Sequence, residues 1–128
     1  MSKPTVHRLG DLQLRILRVL WEKGEAGVST VHEVLGGSAE FAYTTIATML
    51  RKMEVRRLVD HREEGRSYIY RALVASEDVS RGASDHLVNR MFDGSVTEVV
   101  SHLLRTREVS RAELNELERM IAERKKKK

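Results

Sequence analysis

The strongest constraint on this chain is a change of hydrophobic period near Leu58. Ahead of it, apolar residues recur every three or four positions in three segments separated by glycine-containing turns. In "RLVDHREEGRSYIYRAL" the period drops to two. Leu58, Asp60 and Arg62 alternate with Val59 and His61, then Ser67, Ile69 and Arg71 with Tyr68 and Tyr70. Two β-forming runs around a Glu-Glu-Gly turn predict a hairpin.

The three segments before it have the marks of helices. "LGDLQLRILRVLWEKG" carries Leu9, Leu12, Ile16, Val19 and Leu20 on one stripe, with Asp11 as the expected cap and Gly24 as the stop. "VSTVHEVLGG" offers Ser29 or Thr30 as cap, Val31, Val34 and Leu35 as the buried side, and Gly36-Gly37 as terminator. "FAYTTIATMLRKME" places Ile46, Met49, Leu50 and Met53 on an apolar stripe. Three helices followed by a hairpin is the order of a winged helix-turn-helix, expected over residues 1–74.

The third helix has an unusual polar side. Outside its stripe lie Tyr43, Thr44, Thr45, Thr48, Arg51 and Lys52, where an ordinary surface helix would carry better helix formers such as Glu and Lys. At the start of the second helix of a helix-turn-helix, short hydroxyl side chains approach base edges closely, and a threonine methyl meets a thymine methyl. Tyr43, Arg51 and Lys52 suit the sugar–phosphate backbone. Arg62 and Arg66 are expected at the hairpin tip, meeting phosphate or the minor groove. No acidic residue occurs from Ala42 to Met53, which suits a face turned toward phosphates.

From Ser76 onward the helical period returns. "SEDVSRGASDHLVNRMF" is expected to be capped by Ser76 and closed by Asp93-Gly94. "SVTEVVSHLLR" opens with a capping box, Ser95 to Glu98, and sets Val96, Val99, Val100, Leu103 and Leu104 on one face. "SRAELNELERMIAER" opens with a second box, Ser110 to Glu113, and carries Leu114, Leu117, Met120 and Ile121. Roughly 50 residues cannot bury three such stripes well on their own. They could fold back on the chain's own N-terminal domain; the favoured expectation is a second copy of the chain, paired about a two-fold axis, which would cover them and double the length of DNA contacted. The expected organisation is therefore mainly α with a small β-hairpin wing: a DNA-binding domain at 1–74, a helical dimerisation region at 75–124, and a basic tail at 125–128. No Pro/Gly/Ser linker separates the halves.

Charge must be read by location. The net charge of +4 comes from Lys125 to Lys128, and without them 19 basic residues balance 19 acidic ones. No apolar run nears the ~20 residues a bilayer requires, and "MSKPTVHRLGD" lacks the apolar core of a signal peptide. A cytoplasmic protein without membrane insertion is expected. With no cysteine there is no disulfide framework, thiol nucleophile or cysteine-ligated zinc.

In "LGDLQLRILRVLWEKG", "YTTIATMLRKM", "EEGRSYIY", "NRMFDGSVTEVV" and "ELNELERMI", in that order and spacing, the chain resembles the penicillinase and methicillin-resistance repressors of the BlaI/MecI type. The resemblance spans nearly the whole length. It implies a winged helix followed by a three-helix dimerisation region, in homodimers that bind palindromic operators rich in TACA/TGTA elements. Family recognition contacts fall by position on Thr44, Thr45 and Thr48, with Thr44 standing where some relatives carry a lysine. The resemblance also implies induction by a membrane sensor-protease that cuts the dimerisation region. Counted from Asp93-Gly94, the pair matching the staphylococcal Asn-Phe cleavage site is His102-Leu103. A copper-responsive branch carries a C-terminal cysteine site, which this chain lacks.

Other classes fit less well. "HEVLG" at His32 lacks the second histidine of a zinc-protease helix. His7, His32, His61, His86 and His102 are scattered without ligand spacing, so no metal and no cofactor is expected. There is neither a Gly-rich phosphate loop nor a Gly-x-Ser-x-Gly elbow, which argues against an enzyme. Two alternatives stay open: a winged helix used only for protein interaction, and a regulator that senses a small ligand or metal directly. The clustering of Arg51, Lys52, Arg56, Arg57, Arg62 and Arg66 argues against the first.

Overall fold

The computed structural model describes residues 9–127. Met1–Arg8, including His7 and the segment considered as a leader, and Lys128 lie outside the described residues. The elements run α1 (Asp11–Lys23), β1 (Ala26–Gly27), α2 (Val28–Val34), α3 (Tyr43–Val55), β2 (Val59–Glu64), β3 (Ser67–Ala72), α4 (Ser76–Met91), α5 (Val96–Thr106) and α6 (Arg111–Lys126), with one 3₁₀ turn at Gly37–Ala39. The architecture is mainly helical with a small antiparallel sheet, as the period change requires. No helix among the described residues is long and apolar enough to cross a membrane.

The chain divides into two compact units between His86 and Leu87, inside α4. The reason is Val79, which is buried in the core of the first unit and holds the start of α4 to it. In that unit Ile16 and Leu17 of α1, Val31 of α2, Ile46, Leu50 and Met53 of α3, and Leu58 and Val59 are wholly inaccessible. Each such side chain contributes on the order of 1.5–3 kcal/mol by leaving water. Trp21 donates its indole N–H to the Val74 carbonyl at 2.8 Å and so ties the end of α1 to the segment after β3.

Several local expectations change. Gly10, not Asp11, caps α1, and its N–H donates to the Gln13 side chain at 3.0 Å; Asp11 instead sits in the first turn, favourable to the helix dipole. Leu17 joins the buried face of α1. Gly27 caps α2, so Ser29 and Thr30 fall inside the helix, and Val34 is left half exposed. Ser76 is the first helical residue of α4, with the Ala75 carbonyl accepting from Asp78 and Val79. The hairpin turn is Gly65-Arg66, because Glu64 already pairs with Ser67. Gly65 takes φ 61°, a left-handed conformation that favours glycine. The sheet also has a third strand: β1 pairs with β3 through Ala26↔Tyr70 and Gly27↔Ile69, giving the order β1-β3-β2.

Helix α3 ends in a motif the sequence does not announce. Arg57 takes φ 66°, the Leu58 N–H reaches the Met53 carbonyl at 2.9 Å, and the Arg57 N–H reaches Glu54 at 2.9 Å. This is a Schellman closure whose apolar pair is Met53 and Leu58, both fully buried. It fixes where α3 stops and β2 begins.

In the second unit α5 and α6 begin as expected. Ser95 Oγ accepts from the Glu98 N–H and Ser110 Oγ from the Glu113 N–H, each at 3.0 Å. Lys125 and Lys126 belong to the last turn of α6, beside Arg124, so the basic tail is partly helix. Cations there face the negative end of the helix dipole. Among the described residues from Ser80 to Lys127, none is buried.

Candidate nucleic-acid interface

The first turn of α3 presents Tyr43, Thr44 and Thr45 to solvent, followed by half-buried Thr48 and exposed Arg51 and Lys52. The helix sorts them into two surfaces. Tyr43, Ala47 and Arg51 recur at four-residue spacing and line a groove of about 410 Å³ between α3 and the hairpin. Thr44, Thr45, Thr48 and Lys52 are not part of that lining and form the outer crest. Arg51 links the two surfaces by donating from Nη2 to Thr48 Oγ1 at 3.3 Å.

The other walls of the groove come from elements far apart in sequence. Ser29 and Thr30 line it from α2, and Arg66, Ser67, Tyr68, Ile69 and Tyr70 line it from the hairpin. Tyr68, Ser29 and Thr30 were not singled out as site residues. Ser29 and Thr30 resembled helix caps, and Tyr68 resembled one residue of a strand alternation. Only the fold places them opposite Tyr43. No acidic residue lines this groove, so its two arginines set a positive local potential.

Two histidines brace the site. His32 of α2 donates from Nε2 to the Phe41 carbonyl at 2.7 Å, and its ring meets that of Tyr43 edge-on at 5.7 Å. The contact fastens α2 to the turn that launches α3. His61 of β2 donates from Nδ1 to both carboxylate oxygens of Glu54, at 2.8 and 3.0 Å, and stacks on Tyr68 at 4.0 Å. The last turn of α3 is thereby tied to the wing.

Arg66 occupies the hairpin turn, as expected. Arg62 does not: it pairs with Ile69, the third pair back from the turn. Its guanidinium grips Glu25 through Nη2 at 2.7 Å and Nε at 3.3 Å, and Glu64 through Nη1 at 3.0 Å. These bonds raise the Arg62 pKa above the usual guanidinium range, and the Arg62 hydrogen bond holds the Glu25 carboxyl below its usual range. Beside them Arg71 clasps Asp60 across the strand pair at 2.8 and 3.1 Å and lowers its pKa. Arg62 is a satisfied ion-pair partner on the sheet face opposite His61, not a tip residue.

In the second unit, Val96, Val100, Leu103, Leu104, Leu114 and Ile121 are each at least 40 % exposed, while Val99 and Leu117 are partly covered. Val100, Leu104, Leu114, Leu117, Met120 and Ile121 line an open groove of about 790 Å³. His102 and Leu103 lie in the middle of α5, where the Thr106 hydroxyl donates to the His102 carbonyl at 2.8 Å and the Phe92 and His102 rings are 5.5 Å apart.

A three-helix core, a hairpin wing and a threonine-bearing helix beside an arginine-lined groove define a winged-helix regulator. The chain belongs to the penicillinase repressor family, whose model matches residues 9–123. It is a winged-helix transcriptional repressor of the BlaI/MecI type and not an enzyme. It is 25% identical over 123 residues to the penicillinase repressor of Bacillus licheniformis, covering 96% of each chain. It is 30% identical over 125 residues to the transcriptional regulator BlaI of Mycobacterium tuberculosis, covering 96% of this chain and 88% of that one. Among solved structures, the DNA-binding domain of the repressor BlaI superposes with a TM-score of 0.51 at 24% identity, over 61% of this chain and 93% of that domain.

Proposed function

We propose that the protein is a homodimeric repressor that lays α3 in the major groove of a palindromic operator of the TACA/TGTA type. The observation that carries this reading is the division of α3 into a hydroxyl crest and a basic groove wall. Thr44, Thr45 and Thr48 are short enough to meet base edges, while Tyr43, Arg51 and Arg66 flank them for sugar and phosphate. Lys52 adds a phosphate contact further along the helix. Arg62 is assigned to the ion pairs of the wing rather than to the contact set, because each of its three nitrogens holds Glu25 or Glu64.

Dimerisation through α5 and α6 is supported by their uncovered apolar faces. Val96, Val99, Val100, Leu103 and Leu104 of one chain would meet the same residues and Leu114, Leu117 and Ile121 of the other, an isologous arrangement. Two half-sites then multiply specificity and affinity. Induction follows from the same dependence: a sensor-protease that cuts near His102-Leu103 would divide α5 and remove the dimer. The bond lies in a regular helix, so cutting requires α5 to open locally and to uncover its face in the dimer.

The test is a titration of the purified protein into a duplex with two inverted TACA-type half-sites and into a scrambled duplex, at two salt concentrations. Two chains per duplex, preference for the operator and a steep salt dependence are expected. Thr48→Ala should weaken operator binding more than binding to scrambled DNA, and Arg66→Ala should weaken both and lower the salt slope by about one. Equal weak binding of the wild type to both duplexes would sink the operator reading.

A further inference from the structure

Neighbouring strand residues point to opposite faces of a sheet, and here both members of the pair His61 and Arg62 end on acids outside the hairpin. His61 reaches Glu54 in the last turn of α3. Arg62 reaches Glu25, 37 residues earlier, in the segment that enters β1. Since the sheet order is β1-β3-β2, the Arg62–Glu25 contact spans from β2 past the middle strand to the opposite edge, with Ile69 between Arg62 and Gly27 in the register. The third guanidinium nitrogen holds Glu64, which is paired with Ser67 right at the turn.

We propose that Arg62 is a positioning residue, a strut that with Glu25 and Glu64 fixes the angle of the wing and thereby the placement of Arg66 and Tyr68 against α3. The inference rests on the DNA-binding reading above. A hairpin with a two-residue turn is a flexible ribbon unless something holds it. His61 holds one face to the recognition helix, and Arg62 holds the other face to the body. The same contact sets one positive charge against the two negative charges of Glu25 and Glu64, which reduces their opposition to the approach of phosphates.

The strut and a direct phosphate contact make opposite predictions at Glu25. If Arg62 touched phosphate, removing Glu25 would release the arginine, delete a negative charge and tighten binding. If Arg62 is a strut, Glu25→Ala loosens the wing and weakens binding. Operator affinity is measured for the full-length wild type, Glu25→Ala, Arg62→Ala, the double alanine variant and the charge swap Glu25→Arg with Arg62→Glu. Expected are losses of roughly three- to fivefold for each single variant, no further loss in the double variant, an unchanged salt slope and recovery in the charge swap. Tighter binding by Glu25→Ala, a salt slope lowered by about one in Arg62→Ala, or a charge swap no better than Arg62→Ala would each overturn it. Amide exchange across β2 and β3 in the free protein separates this outcome from a failure of the operator reading. Glu25→Ala and Arg62→Ala should speed exchange there equally without any DNA present, and unchanged exchange in both would remove the strut.

Discussion

The two units of this chain solve the same problem in different ways. The first, ending at His86, has a core of fully inaccessible side chains drawn from α1, α2, α3, β2 and β3. The second, from Leu87, has helices with good caps and strong apolar faces but no buried residue among those described. The first unit is stabilised mainly by tertiary packing. The second is specified by local signals and leaves its apolar surface open. Local signals rarely stabilise short helices in water by themselves. The contrast teaches that burial within one chain is not the measure of a helix's role, since the second unit has what an interface needs.

Four measurements would break or sharpen that contrast. The largest effect is expected from Leu50→Ala, which removes a fully buried side chain of α3 and should cost about 3 kcal/mol in denaturant unfolding. Leu103→Ala, on the half-exposed face of α5, should change the unfolding of the first unit by less than about 0.5 kcal/mol. Equal costs would dissolve the distinction between the units.

Next comes Leu103→Glu, which sets a charge in the proposed two-fold interface. Sedimentation should show association weakened at least about a hundredfold, with the first unit still cooperatively folded. A protein that still sediments as a dimer would move the interface elsewhere.

A smaller effect is expected from Ser110→Ala. It deletes the hydroxyl that accepts from the Glu113 N–H and should cost about 1 kcal/mol of helix stability. Amide protection in the first turn of α6 is the readout, and unchanged protection would mean that packing, not capping, starts this helix.

The smallest effect concerns acid. Arginine hydrogen bonds hold the Glu25 and Asp60 carboxyls below their ordinary range. A carboxyl with a lower pKa in the folded state stabilises the fold above the unfolded carboxyl range and loses that contribution as pH falls through its folded value. The sheet should therefore loosen below about pH 4, and Arg71→Ala should flatten the part that belongs to Asp60. Glu116 is lowered in the same way by Arg119, but that pair lies within one helix and should affect only α6.

The difference between the units also explains what could be read from the residues alone. Caps at Ser95 and Ser110, the stripe of α3 and the hairpin all arise from interactions within a few positions, so composition and period reveal them. The threonine crest was legible for the same reason, because helical spacing alone puts Thr44, Thr45 and Thr48 on one side. Strand β1 was not legible: two residues have no period, and Ala26 and Gly27 become a strand only because β3 lies beside them. Leu17 lies off the stripe of α1 read from the sequence, and only the assembled core buries it.

Arg62 marks the limit most clearly. In sequence it is one more arginine beside a turn, indistinguishable from Arg66. Its partner Glu25 is brought to it by the pairing of β1 with β3, a long-range contact that no local pattern encodes. The residues by themselves determined the order of helices and wing, the polar face of α3 and the apolar faces of α5 and α6, since backbone period and side-chain chemistry are local properties. Only the tertiary structure decided which arginines face the groove and which are spent on acids, because a charge acts on whatever lies within a few ångströms, however distant along the chain.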